Sequence, residues 1–130
     1  MSISRHFTDD ELRCKGSGIL IFHPGFLVRL DLLRDQFGVP MVLNSACRSK
    51  VHNAAVGGHP NSLHIGDEPQ HAEQEGALAV DVNTPDGTYR GKLFTLAWNA
   101  GFSIGWNVKR QFLHLDLRIL ISMQQTSFDY

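Results

Sequence analysis

Gly76-Ala77-Leu78-Ala79-Val80-Asp81-Val82 is an apolar run broken by one carboxylate. A lone aspartate among buried aliphatics is costly to desolvate, so Asp81 needs a partner that removes the cost. A divalent cation would do so. The strand's alternation puts Ala77, Ala79 and Asp81 on one face and Leu78, Val80 and Val82 on the other, so Asp81 shares its face with small side chains that leave room beside it. Upstream lies His64, in Ser62-Leu63-His64-Ile65-Gly66, after the glycine-rich approach Val56-Gly57-Gly58-His59-Pro60-Asn61. Downstream lies His114, in Phe112-Leu113-His114-Leu115-Asp116-Leu117-Arg118. There Phe112, His114, Asp116 and Arg118 share one face and the leucines line the other.

Taken singly, each candidate has an ordinary reading. His64 could be a hydrogen-bonded loop histidine, Asp81 a carboxylate capping the turn at Thr84, and His114 a satisfied core histidine. Jointly they form a two-nitrogen, one-oxygen set that suits a zinc ion with one position left for water.

The rest of the chain supplies the frame. Thr8-Asp9-Asp10-Glu11 is a capping-box pattern that starts a short helix over 9–14. From Pro24, Phe26, Leu27, Leu30, Leu33 and Phe37 recur at helical spacing, and Gly38 closes the run. Tyr89 to Ala100 repeats the pattern and stops at Gly101. A helical turn is expected around 52–55, strands over 41–44, 77–83, 102–106 and 111–118, a polar surface loop over 66–76, and a loose polar tail from Ser122. The expected fold is therefore α+β, a single domain over 1–130 with helices packed on a small antiparallel sheet.

At 130 residues the chain buries a core without needing a metal as a staple. A net charge of -1 gives no electrostatic case for nucleic acid or for an anionic membrane. No run of residues is long and apolar enough for a membrane span. Residues 1–10 lack the apolar centre of a signal peptide, so cytoplasmic synthesis is expected. Two cysteines, Cys14 and Cys47, are too few for a disulfide framework and read as free thiols, with a single bridge or a metal role as the alternatives.

These motifs, in this order, resemble the M15 zinc peptidases, the D-Ala-D-Ala carboxypeptidases and L-Ala-D-Glu endopeptidases that cut peptidoglycan stem peptides in bacteria and phages. The resemblance rests on His6-Phe7-Thr8 with Glu11-Leu12 and Cys14, Leu33-Arg34, Asn44 to Ser49, Asn53 with Val56-Gly57-Gly58, Ser62 to His64, Ala79 to Asp81, and His114 to Arg118. It implies a hedgehog/DD-peptidase-like fold and Zn²⁺ held by His64, Asp81 and His114. The ion would activate a water and polarise the scissile carbonyl. The resemblance further implies Arg48 holding a substrate carboxylate or the developing oxyanion, and Ser62 fixing the loop that presents His64. Delivery to the cell wall would rely on release from the cell or carriage in a phage particle, as for an endolysin.

Two departures stand out. His64 and Asp81 are 17 positions apart, farther than in many relatives, so an insertion from about Asp67 to Glu75 lies between them. It could shape the cleft, offer another ligand through His71 or an acid, or be a solvated loop. The second departure concerns the general base. Several relatives place an acid three residues before the last histidine ligand and others a histidine two before it, where this chain has Gln111 and Phe112. Asp116 is the substitute candidate, since period two aims it the same way as His114. Its alternative role is to orient His114 or pair with Arg118. The missing acid also leaves open a catalytically inactive M15-like binding or structural module.

Overall fold

The structure, a computed structural model, describes residues 3–130. Among the described residues, four α-helices and five strands follow one another. They are α1 (Asp9–Leu12), α2 (Phe26–Phe37), β1 (Leu43–Ser45), α3 (Lys50–Ala55), β2 (Ala79–Asn83), α4 (Gly87–Asn99), β3 (Ser103–Asn107), β4 (Phe112–Asp116) and β5 (Ser127–Asp129). A 3₁₀ turn at Arg118–Ile121 leads from β4 toward β5.

Local chemistry sets the helix ends. Thr8 and Glu11 close the capping box on α1 reciprocally. Asp86 caps α4 by accepting from the Tyr89 amide. Gly38 ends α2 at φ 77°, a left-handed turn that a glycine makes without steric cost. The apolar stripes of α2 and α4, including Phe26, Leu30, Leu33, Phe37, Leu93 and Ala97, join Val80, Val82, Ile104, Leu113 and Leu115 in one buried cluster.

The sheet runs in the order β1-β2-β4-β3-β5. Its first four strands pair antiparallel, as the α+β expectation required. β5 departs from it. The segment expected to be a loose tail adds a strand parallel to β3, with Gly105 opposite Phe128, and makes the sheet mixed. The reason is aromatic: Phe128 and Tyr130 pack on each other and on His114, which repays the ordering of a polar segment.

The 66–76 loop is also less superficial than its polarity suggests. Gln74 and Gly76 are buried, and the Gln74 carboxamide nitrogen donates to the carbonyls of Leu63, Ile65 and Gly76 at 3.0 to 3.4 Å. Asp67 accepts from the Lys50 amide at the start of α3. Both cysteines are buried free thiols.

Candidate metal centre

The sheet face turned away from α2 and α4 carries two of the three candidate ligands. Asp81 stands mid-strand on β2 directly opposite His114 on β4, and the alternation of both strands puts the two side chains on the same face. The two side chains meet across the pair, His114 Nδ1 lying 3.1 Å from Asp81 Oδ1. His64 comes from a turn outside the sheet. Its amide donates to Ser62 Oγ at 3.1 Å, the Arg48 amide donates to its carbonyl, and the Leu78 amide donates to the Leu63 carbonyl. Held in this way, His64 Nε2 reaches the same Asp81 Oδ1 at 3.1 Å. The three ligand atoms lie within 4.8 Å of one another. Among the described residues this is the one group of three or more His, Cys, Asp or Glu with that property.

The far nitrogens of the two rings define what the near ones are. His64 Nδ1 lies 2.6 Å from the Ala46 carbonyl, which accepts and cannot donate, so that nitrogen carries a proton. His114 Nε2 lies 2.8 Å from Asp116 Oδ2. Asp116 is buried and takes the guanidinium of Arg118 on both oxygens, so it is an ionised acceptor. In neutral rings, therefore, His64 Nε2 and His114 Nδ1 both turn a lone pair toward the same carboxylate oxygen. Three electron-rich atoms converge on one small space, and only a proton or a cation makes that arrangement favourable.

The electrostatics follow from this crowding. Burial works to raise the pKa of Asp81, but the charges and hydrogen bonds of His64 and His114 hold it well below the carboxylate range. Burial drives His64 down, outweighing the pull of Asp81. For His114 burial acts in the same sense, yet the hydrogen bonds it makes to the Asp116 and Asp81 carboxylates, with their charges, win and its pKa is raised. Of the two imidazoles, His114 is therefore the one whose protonation the metal-free surroundings favour. Two imidazoles with fixed tautomers, one carboxylate and a carboxylate behind the second imidazole match the donor set and the outer partners of a zinc site.

Arg48 borders the centre, its Nη2 lying 3.4 Å from Asp81 Oδ2. Ser45 Oγ accepts from its Nε at 2.9 Å and Asn53 Oδ1 from its Nη1 at 3.1 Å, which aims the guanidinium. Its ion pair is with Asp81, while Asp35 on α2 is held by Arg5 and His6. A cleft of about 500 Å³ opens beside His114, lined by Ser62, Leu63, His59, His71, Arg118, Phe128 and Tyr130 among others. Ser62 thus both steadies His64 and faces the cleft. Gln111 is exposed at the tip of the β3–β4 hairpin and is not among the lining residues.

Three contributors escape a reading of the sequence. Asn53 has a family motif around it but no evident task until its bond to Arg48 is seen. Gln74 sits in a run of polar residues and carries no signal of burial. Tyr130 stacks on His114 with ring centroids 4.5 Å apart and planes 18° apart. Burial raises its phenol to about 12, with the Asp81 charge acting in the same direction and Arg48 against both. The spacing of Phe128 and Tyr130, two residues apart, was the one trace of a strand there.

The sequence model of the peptidase M15 family matches residues 5–116 of this chain, a span that holds His64, Asp81, His114, Arg48 and Asp116. No curated protein and no solved structure gives a significant match.

Proposed function

The chain belongs to the M15 peptidase family, and on that premise we propose that it is a zinc-dependent peptidase acting on peptidoglycan stem peptides, of the D-Ala-D-Ala carboxypeptidase or L-Ala-D-Glu endopeptidase type. The observation that carries the reading is the convergence of two imidazole lone pairs and a carboxylate on one point, with both far nitrogens already committed to acceptors. His64, Asp81 and His114 would hold the Zn²⁺. When bound, the ion would supply an activated water and Lewis acidity toward the scissile carbonyl.

The chain's own groups then divide the work. Arg48, aimed by Ser45 and Asn53, offers a planar fork to a substrate carboxylate or to the oxygen on which charge develops. Ser62 keeps the His64 turn rigid. Of the two roles open to Asp116, its geometry supports orienting His114 over moving a substrate proton, because His114 and Arg118 occupy both of its oxygens. His59 and His71 add imidazoles to the cleft wall.

A second reading, an inactive module that keeps the fold and the ion, draws on the absence of an acid at Gln111 and Phe112. Purified peptidoglycan incubated with zinc-loaded wild type and with His64→Ala separates the two. New amines or free D-Ala from wild type alone are expected. Equal background from both proteins, with zinc bound stoichiometrically, would leave the inactive module standing.

A further inference from the structure

The strand β5 and Tyr130 lie outside the family match, which ends at Asp116, yet they stand against the metal centre. Four observations show that this placement is built. Gly105, opposite His114 on one side and Phe128 on the other, leaves the space these rings use: a Cβ there would stand 2.6 Å from the Phe128 ring and 3.0 Å from Tyr130 Cβ. The Tyr130 amide donates to the Trp106 carbonyl at 2.9 Å, and Asn107 Nδ2 donates to the Tyr130 carbonyl at 3.1 Å. Phe112 meets the Tyr130 ring edge to face at 5.6 Å. Arg118, which pins Asp116, lies over the Phe128 ring at 5.1 Å.

One face of the Tyr130 ring covers His114, while 42% of the residue stays accessible and the residue lines the cleft. The arrangement is a wall with an open side, not a plug. The Arg48 guanidinium acts on the phenol oxygen, so the phenol's own proton remains for an acceptor in the cleft. A charged donor paired with Asp81 and a neutral donor on the cleft wall thus lie together next to the ligand triad.

We propose that Tyr130 is a substrate-binding residue: its hydroxyl, together with the Arg48 guanidinium, holds an anionic oxygen of the peptide, and β5 is the element that carries it there. This inference rests on the peptidase reading given above. The oxygen belongs either to the substrate's terminal carboxylate or to the carbonyl that acquires charge as the amide is attacked; both present the same acceptor chemistry to a phenol.

The test uses a probe that is bound but not cut. Zinc-loaded wild type, Tyr130→Phe and Tyr130→Ala are titrated calorimetrically with an acetylated dipeptide whose scissile amide is replaced by a phosphinate, once as the free acid and once as the terminal amide. Zinc content is measured on each sample. Tyr130→Phe keeps the ring and its stacking and removes the donor alone. It should weaken the free acid about tenfold or more at unchanged zinc stoichiometry, the loss of a hydrogen bond to a charged group. A loss confined to the free acid assigns the hydroxyl to the carboxylate, and an equal loss with the amide assigns it to the tetrahedral oxygen. Wild type and Tyr130→Phe binding the acid equally would overturn the inference, even if Tyr130→Ala binds less. A wild type that holds zinc and ignores both probes would overturn the peptidase reading, and this one with it. Failure of the two is therefore told apart by whether the wild type binds.

Discussion

Asp116 never points at the convergent centre, yet it decides which nitrogen of His114 does. By accepting the Nε2 proton at 2.8 Å it leaves Nδ1 as the ligand atom, and Arg118 keeps it ionised for that task. Asp116→Asn preserves the volume and removes the charge, so zinc should bind about 10- to 100-fold more weakly without loss of a ligand. Competition against a chromophoric chelator measures this, and unchanged affinity would show that the orienting bond does not matter. At this scale the sequence was informative where the period of a strand does the aiming. Asp81 and His114 could be assigned to the faces they occupy because side chains alternate and the neighbours were small or polar. The two roles of Asp116 could not be separated from spacing, since both place it on the His114 face; only the contacts to His114 and Arg118 distinguish them. Tyr130 was invisible for a different reason. Its stacking on His114 depends on β5 pairing with β3, and no local propensity in the polar run from Ser122 announces that pairing.

Elements that carry their own periodic signal, α2 and α4, were legible nearly to their ends, and the glycines that close them, Gly38 and Gly101, act as read. Elements that exist because something else receives them were not. β5 needs the gap at Gly105, and the 66–76 loop needs the three carbonyls that Gln74 gathers. Each dependence makes a prediction. Gln74→Ala removes the donor shared by Leu63, Ile65 and Gly76 and leaves buried carbonyls short of partners, a loss of about 1–3 kcal/mol in urea unfolding. Because Leu63 and Ile65 flank His64, the same variant should also bind zinc more weakly, whereas a purely solvated loop would leave both measurements unchanged. Gly105→Ala puts a methyl group against the Phe128 ring at 2.6 Å, closer than real contacts allow. Overpacking of this kind costs about 1–3 kcal/mol. The strain should fall on β5, whose neighbour Trp106 would report the displacement as a shift in emission; a variant with native emission and native stability would mean that the rings move aside freely.

The whole molecule has a core that owes nothing to the metal, because the cluster formed by α2, α4 and the leucine face of the sheet lies on the side away from the ligands. Zinc-free protein should therefore stay folded and unfold at a lower temperature. At free zinc about 100-fold above its dissociation constant the linkage is worth about 2.7 kcal/mol, a shift of about 10 °C for a domain of this size. That shift should depend on pH in a definite direction. His114 has a raised pKa in the metal-free fold, so its contribution to stability is fully present below the ordinary value of 6.5 and is lost as pH rises through the raised value. His64, depressed by burial, acts oppositely and penalises the fold as pH drops below 6.5. Asp81 and Asp116, both depressed, stabilise above 3.8, and their contribution fades as pH falls through their folded values. Wherever His114 is protonated, zinc has to displace that proton, so the cost of binding grows as pH falls through the raised value. The difference in melting temperature between zinc-loaded and chelator-treated protein should accordingly be larger at pH 8 than at pH 6. Titration in two buffers of different ionisation enthalpy should show proton release on binding below the raised His114 value. Equal shifts at both pH values, with no proton released, would mean that the ion does not occupy the space between His64, Asp81 and His114.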